Sequence, residues 1–145
     1  MNPVSEDIKD KLVAGGIGTF ATTSTSVWNI YIDDEPDQPD QTITIYDTSA
    51  GSPDRFLNHS RPLHKTPFQI RVRGNAYLAT HNTIKSVETY LDQISTWVAS
   101  GPDSADPDVN YESVFLDSGP FSLGKDATKR FIWVATFTAH RQEKP

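Results

Sequence analysis

Cysteine is absent from the 145 residues, which removes disulfide frameworks, thiol nucleophiles and Cys-ligated zinc together. No apolar run approaches the ~18–20 residues of a membrane-spanning helix. Glu6 and Asp7 stand where a secretion signal would carry basic residues, so no signal peptide is expected and the triplet Asn58-His59-Ser60 reads as chance rather than a glycosylation site. Also missing are a Gly-x-Ser-x-Gly elbow, a phosphate-cradling Gly-Lys-Ser/Thr loop and a dinucleotide glycine pattern. Gly15-Gly16-Ile17-Gly18 follows a helical pattern rather than a strand, the wrong context for holding phosphates. Nothing here points to an enzyme, and no cofactor or metal is expected.

What is present is charge, unevenly placed. The net charge is -6. Residues 1–50 carry two basic and nine acidic side chains, residues 53–85 six basic against Asp54 alone, and residues 86–145 five basic and nine acidic. A basic middle between acidic flanks could bind nucleic acid, or could be half of a head-to-tail contact between identical subunits. The acidic whole opposes polyanion binding at a distance and favours the second reading.

The length suits one domain, 1–145, with a core of its own and no need of a metal or disulfide staple. Val4, Ile8 and Leu12 at four-residue spacing predict a short helix, with Asn2 as cap, Pro3 at the first position and Gly15-Gly16 at the end. Strands are expected at Trp28–Ile32, Thr42–Asp47, Thr66–Gly74, 110–117 (Val114 and Leu116 inward) and Phe131–Ala139. Ile84, Val87, Leu91, Ile94 and Val98 recur at spacings of 3 and 4, the stripe of one long helix from about Asn75 to Val98. Residues 48–65 read as a long loop. The expected fold is therefore α+β in the order α-β-β-β-α-β-β, with local links and the long helix packed on one face of a mixed or antiparallel sheet.

Each candidate cluster has a plain reading beside the functional one. Asp33, Asp34, Glu35, Asp37 and Asp40 lack the alternating spacing and turn glycine of a calcium loop, and Pro36 and Pro39 interrupt them. They read as a solvated acidic turn. His59 and His64 lie too far apart for the one-face pair of a helical metal site, and His81 falls on the polar side of the long helix. Arg71 and Arg73 alternate with Phe68, Ile70 and Val72 and so share the strand face away from the core. A single-strand-binding sheet needs aromatics on the same face as its basic groups, and Phe68 points the other way. A small nucleic-acid-binding module is thus the weaker alternative.

The pieces in order resemble the tail-terminator and minor capsid proteins of long-tailed bacterial viruses. These are the short helix, Ile30-Tyr31-Ile32-Asp33-Asp34-Glu35-Pro36-Asp37-Gln38-Pro39-Asp40 leading into Thr42-Ile43-Thr44-Ile45-Tyr46-Asp47, then Pro67-Phe68-Gln69-Ile70-Arg71-Val72-Arg73, the long helix, and Gly119-Pro120-Phe121-Ser122-Leu123-Gly124-Lys125-Asp126 before the last strand. The resemblance covers roughly residues 5–140, and the loop at 48–65 departs from it.

It implies a virion protein without catalysis, assembled in the host cytoplasm. Such a protein forms a ring, usually of six copies, that caps the tail tube, stops its growth and offers a surface to the head connector or head-completion protein, with DNA passing through the hole. Another neck or connector protein of the same particle is the nearest alternative. On this reading Arg71 and Arg73 are expected to meet Asp33, Asp34 and Glu35 across the subunit contact. Arg55, Phe56, Leu57 and Arg61 of the long loop are expected to reach the neighbouring tube or connector ring.

Overall fold

The computed structural model describes residues 1–20, 27–54, 62–101 and 103–144. Two helices, α1 (Val4–Ala14) and α2 (Tyr77–Asp92), accompany eight strands. These are β1 (Thr19–Phe20), β2 (Asn29–Ile32), β3 (Thr42–Asp47), β4 (Ser52–Asp54), β5 (Leu63–Gly74), β6 (Trp97–Ala99), β7 (Val109–Lys125) and β8 (Phe131–Glu143). They form one curled sheet in the order β1-β2-β3-β5-β8-β7-β6, with β4 paired to β5 beside the end of β3. The α+β class is as expected, but the chain is richer in strand than the expected order allowed. β1, β4 and β6 are short pairings whose sequences carry little period-2 signal.

Both helices lie on one face. Val4, Ile8 and Leu12 of α1 and Ile84, Val87 and Leu91 of α2 are fully buried against Ile30, Ile43, Ile45, Ile70, Val72 and Phe137. Phe68 and Phe137, opposite each other on β5 and β8, stack at 5.4 Å between ring centroids. Burying one such large side chain contributes about 1.5–3 kcal/mol.

Several local expectations are corrected. Asn2 does not cap α1: its side chain donates to Asp7 Oδ1. The cap comes from across the fold, where Asp47 at the end of β3 accepts from the Ser5 amide (3.0 Å) and the Ser5 hydroxyl (2.5 Å). A carboxylate there also faces the positive end of the helix dipole. The long helix ends at Asp92 rather than Val98, and Trp97–Ala99 pairs antiparallel with Val109–Tyr111. Thr96, Trp97 and Val98 are better strand than helix formers, and a free sheet edge was within their reach. His81 is no free polar group, because its ring meets Trp133 edge-on at 4.9 Å. Residues 48–65 are not loop throughout, since Ser52–Asp54 pairs with Leu63–Lys65.

The expected strand at 110–117 continues to Lys125 through four register shifts. Gly119 makes one of them possible. Its φ is +94°, and a Cβ there would stand 2.8 Å from the Val134 carbonyl oxygen, so neither the conformation nor the space admits a side chain.

Candidate interaction site: an acidic strap held by two arginines

β2 and β3 run parallel, not antiparallel as a local link would make them. The chain leaving Ile32 must therefore return the length of the strand before entering Thr42. Residues 33–41 make that return, a shorter crossover than the dozen or more residues usual between parallel neighbours. Helices cover the other face, so the strap runs over the face where Arg71 and Arg73 point.

Arg73 is the anchor, only 3% exposed. Its Nη1 donates to Glu35 Oε1 at 2.9 Å, and its Nη2 donates to the carbonyls of Pro36 (2.6 Å), Pro39 (2.8 Å) and Asp37 (3.3 Å). Nε reaches the Asp40 carbonyl at 3.3 Å. Pro36 and Pro39 leave the strap short of N–H donors, and one planar guanidinium satisfies carbonyls that the sheet cannot reach. Arg71 Nε lies 2.9 Å from Glu35 Oε2, an ion pair whose N–H is not aligned on the oxygen.

Arg130 holds the strap from the other side. Its Nε donates to Asp126 Oδ2 at 2.8 Å, its Nη1 to Asp40 Oδ1 at 3.2 Å and its Nη2 to Asp37 Oδ1 at 3.1 Å, with a further contact from Nη1 to the Asp37 carbonyl. Asp126 organises the β7–β8 turn. The Arg130 amide, the Thr128 hydroxyl and amide, and Arg130 Nε all donate to it. These bonds, the Arg130 amide foremost, lower its pKa from 3.8 to about 2. Asp40 is also lowered, chiefly by the Asn75 side chain, which donates at 2.9 Å, and then by Arg130.

A second ionic cluster ties the far end of the sheet to α1. Asp7 is 2% exposed and accepts from the Tyr111 hydroxyl at 2.6 Å, with Arg141 Nη1 at 3.6 Å. Burial raises the Asp7 pKa against these favourable contacts, and burial together with the Asp7 charge raises that of Tyr111.

Arg71 and Arg73 were expected to meet the acidic segment of a neighbouring subunit; within the chain both already pair with Glu35. Glu35 takes both guanidinium groups, while Asp33 and Asp34 stay exposed and face outward from the strap. The segment is thus a fastened crossover and not a solvated turn. Arg55, Phe56, Leu57 and Arg61 lie outside the described residues, as does His59. Arg130 was not singled out from the sequence, and Asp126 stood there only at the end of the segment Gly119–Asp126, with no role in a site. Their only signal was an acid and a base four residues apart beside Gly124, a spacing that a surface turn shares.

A family model described as "Bacteriophage tail terminator protein" matches residues 11–143. None of the curated proteins matches the chain in sequence. Among solved structures, a chain from "Virion of native gene transfer agent (GTA) particle" superposes with a TM-score of 0.62 at 11% identity, covering 97% of this chain and 95% of that one. A second solved chain gives a TM-score of 0.56 at 12% identity, covering 99% and 93%. At such identities the likeness is one of fold.

Proposed function

Because the chain belongs to the bacteriophage tail terminator protein family and is a structural component of a phage tail, we propose that it closes a ring on the last ring of the tail tube. The ring stops tube growth and presents a docking surface to the head connector or head-completion protein. Six copies, the number the resemblance implies, would form it, with DNA passing through the lumen unbound.

The observation that carries this reading is the extent of the family match, which runs from Lys11 in α1 to the end of β8. The charge of -6 supports the lumen, because a channel that DNA slides through must not exchange counterions for phosphate contacts. Asp33 and Asp34, held outward by the strap, are the acidic residues offered to a neighbouring subunit. Arg71, about one-third exposed, remains available to such a contact, whereas Arg73 serves it by fixing the strap. The docking role of Arg55, Phe56, Leu57 and Arg61 rests on the sequence alone.

The test is direct. Purified chain added to polymerising tail tube protein should halt elongation, and electron microscopy should show one added ring at the tube end. Tubes that keep growing with the chain present overturn the terminator reading.

A further inference from the structure

The sheet has two unequal edges. At one, β1 is two residues long and carries Phe20, 45% exposed, with Lys9 of α1 standing 4.5 Å over its ring. At the other, β6 covers β7 only at Val109–Tyr111. Among the described residues no strand pairs with the outer side of β7 beyond Tyr111, and Phe121 (51%) and Leu123 (57%) are exposed there. A long edge with exposed apolar side chains is a surface that chains normally cover or blunt.

The ladders place these two edges at one level. Phe20 sits opposite Ile30, Ile30 opposite Ile43, Ile43 opposite Val72, Val72 opposite Trp133 and Trp133 opposite Ser122. Phe121 and Leu123 flank Ser122. Strand direction agrees as well. β1 runs parallel to β2 and β3, β3 is antiparallel to β5, β5 to β8 and β8 to β7, so β1 and β7 point in opposite directions. Copies arranged side by side about an axis along the strands would bring β7 of one to β1 of the next at matching height and antiparallel, the more stable pairing. Both complementary edges belong to the same chain, and they satisfy each other only head to tail.

We propose that the β7 edge around Ser122 of one copy pairs with the β1 edge around Phe20 of the next, making the sheet continuous across the subunit boundary, with Ser122 on the face of Phe20 and Phe121 on the opposite face. The inference rests on the ring reading for its biological setting, but the contact can be tested apart from it. The register shifts between Ser118 and Gly124 confine the contact to this short stretch, since bulges interrupt a long ladder.

The absence of cysteine makes the test clean. Phe20→Cys is combined in turn with Phe121→Cys, Ser122→Cys and Leu123→Cys, and oxidised both free and bound to tail tubes. Val98→Cys with Phe20→Cys is the control, because Val98 is exposed on β6 away from the proposed contact. At least one pair should give a ladder of covalent oligomers. Each single variant alone should give no more dimer than the control, and a mixture of Phe20→Cys chains with Ser122→Cys chains should stop at dimers. Ser122→Cys is a conservative surface change and Phe20 is 45% exposed, so an unchanged thermal transition of the double variant excludes misfolding as the cause of failure. No pair exceeding the control overturns the edge contact, and if rings are still seen on tubes the ring reading survives it. A ladder that runs on without a closed limit sustains the contact and overturns the ring.

Discussion

Arg73 and Glu35 are 38 residues apart in the chain, yet Arg73 Nη1 donates to Glu35 Oε1 at 2.9 Å beneath a strap that the same guanidinium holds by its carbonyls. Arg73→Ala should therefore cost about 3–5 kcal/mol, because it strands a carboxylate and several carbonyls on a covered face. Arg73→Lys should recover little, since one ammonium cannot span the acceptors that a planar fork reaches. Urea denaturation measures both, and a loss below about 1 kcal/mol for the alanine variant contradicts the clamp.

Thr42 and Thr44 point to that same face, are fully buried, and have hydroxyls with no hydrogen-bond partner among the described residues. Thr44→Val keeps the shape and removes an unsatisfied group, so stability should hold or rise by up to about 1 kcal/mol. A clear fall in the same denaturation experiment would mean the hydroxyl is satisfied in solution, by water or by the strap.

Leu91 is fully buried in the last turn of α2, whereas Val98 is 42% exposed on β6. Leu91→Ala should cost about 2–5 kcal/mol. Val98→Ala should cost no more than about 0.5 kcal/mol, as surface substitutions generally do. Equal losses would restore the single long helix that the spacing suggested.

Acid should loosen the β7–β8 turn. The Asp126 pKa is lowered from 3.8 to about 2, so its ionised form is favoured in the folded chain. That stabilisation is present above the ordinary carboxyl range and is lost as pH falls through about 2. A carboxyl titration followed by NMR should place the Asp126 midpoint well below those of exposed aspartates. Asp126→Asn should flatten the dependence of stability on pH between the ordinary and the lowered value.

The paired ends Asp54 and Leu63 allow the intervening segment to be replaced by a two-residue Asn-Gly turn, which suits an antiparallel pair. The thermal transition should be preserved. If Arg55, Phe56, Leu57 and Arg61 dock to the tube or connector, particles carrying the replacement should yield separate heads and tails. Normal joining would remove the segment from the docking surface.

The sequence was most legible where periodicity and burial coincide. Val4, Ile8 and Leu12, then Ile84, Val87 and Leu91, then Phe68, Ile70 and Val72 announce their inward faces, and all are buried. The outward side of β5 was equally plain, which is why Arg71 and Arg73 could be placed together on the face away from the core. It was illegible that Glu35 belongs to the same chain as its partners, because complementary charge says which groups attract and nothing about which copy supplies them.

By itself, then, the sequence determined the α+β class, the inward stripe of each main element and the segregation of charge, since these follow from side-chain chemistry at the period of a helix or strand. Only the tertiary structure decided that β2 and β3 are parallel, that α2 stops at Asp92 and that Asp47 caps α1. The same holds for the level at which the two sheet edges stand. Each of these depends on groups dozens of residues apart meeting with the right geometry, and local patterns carry no record of such meetings.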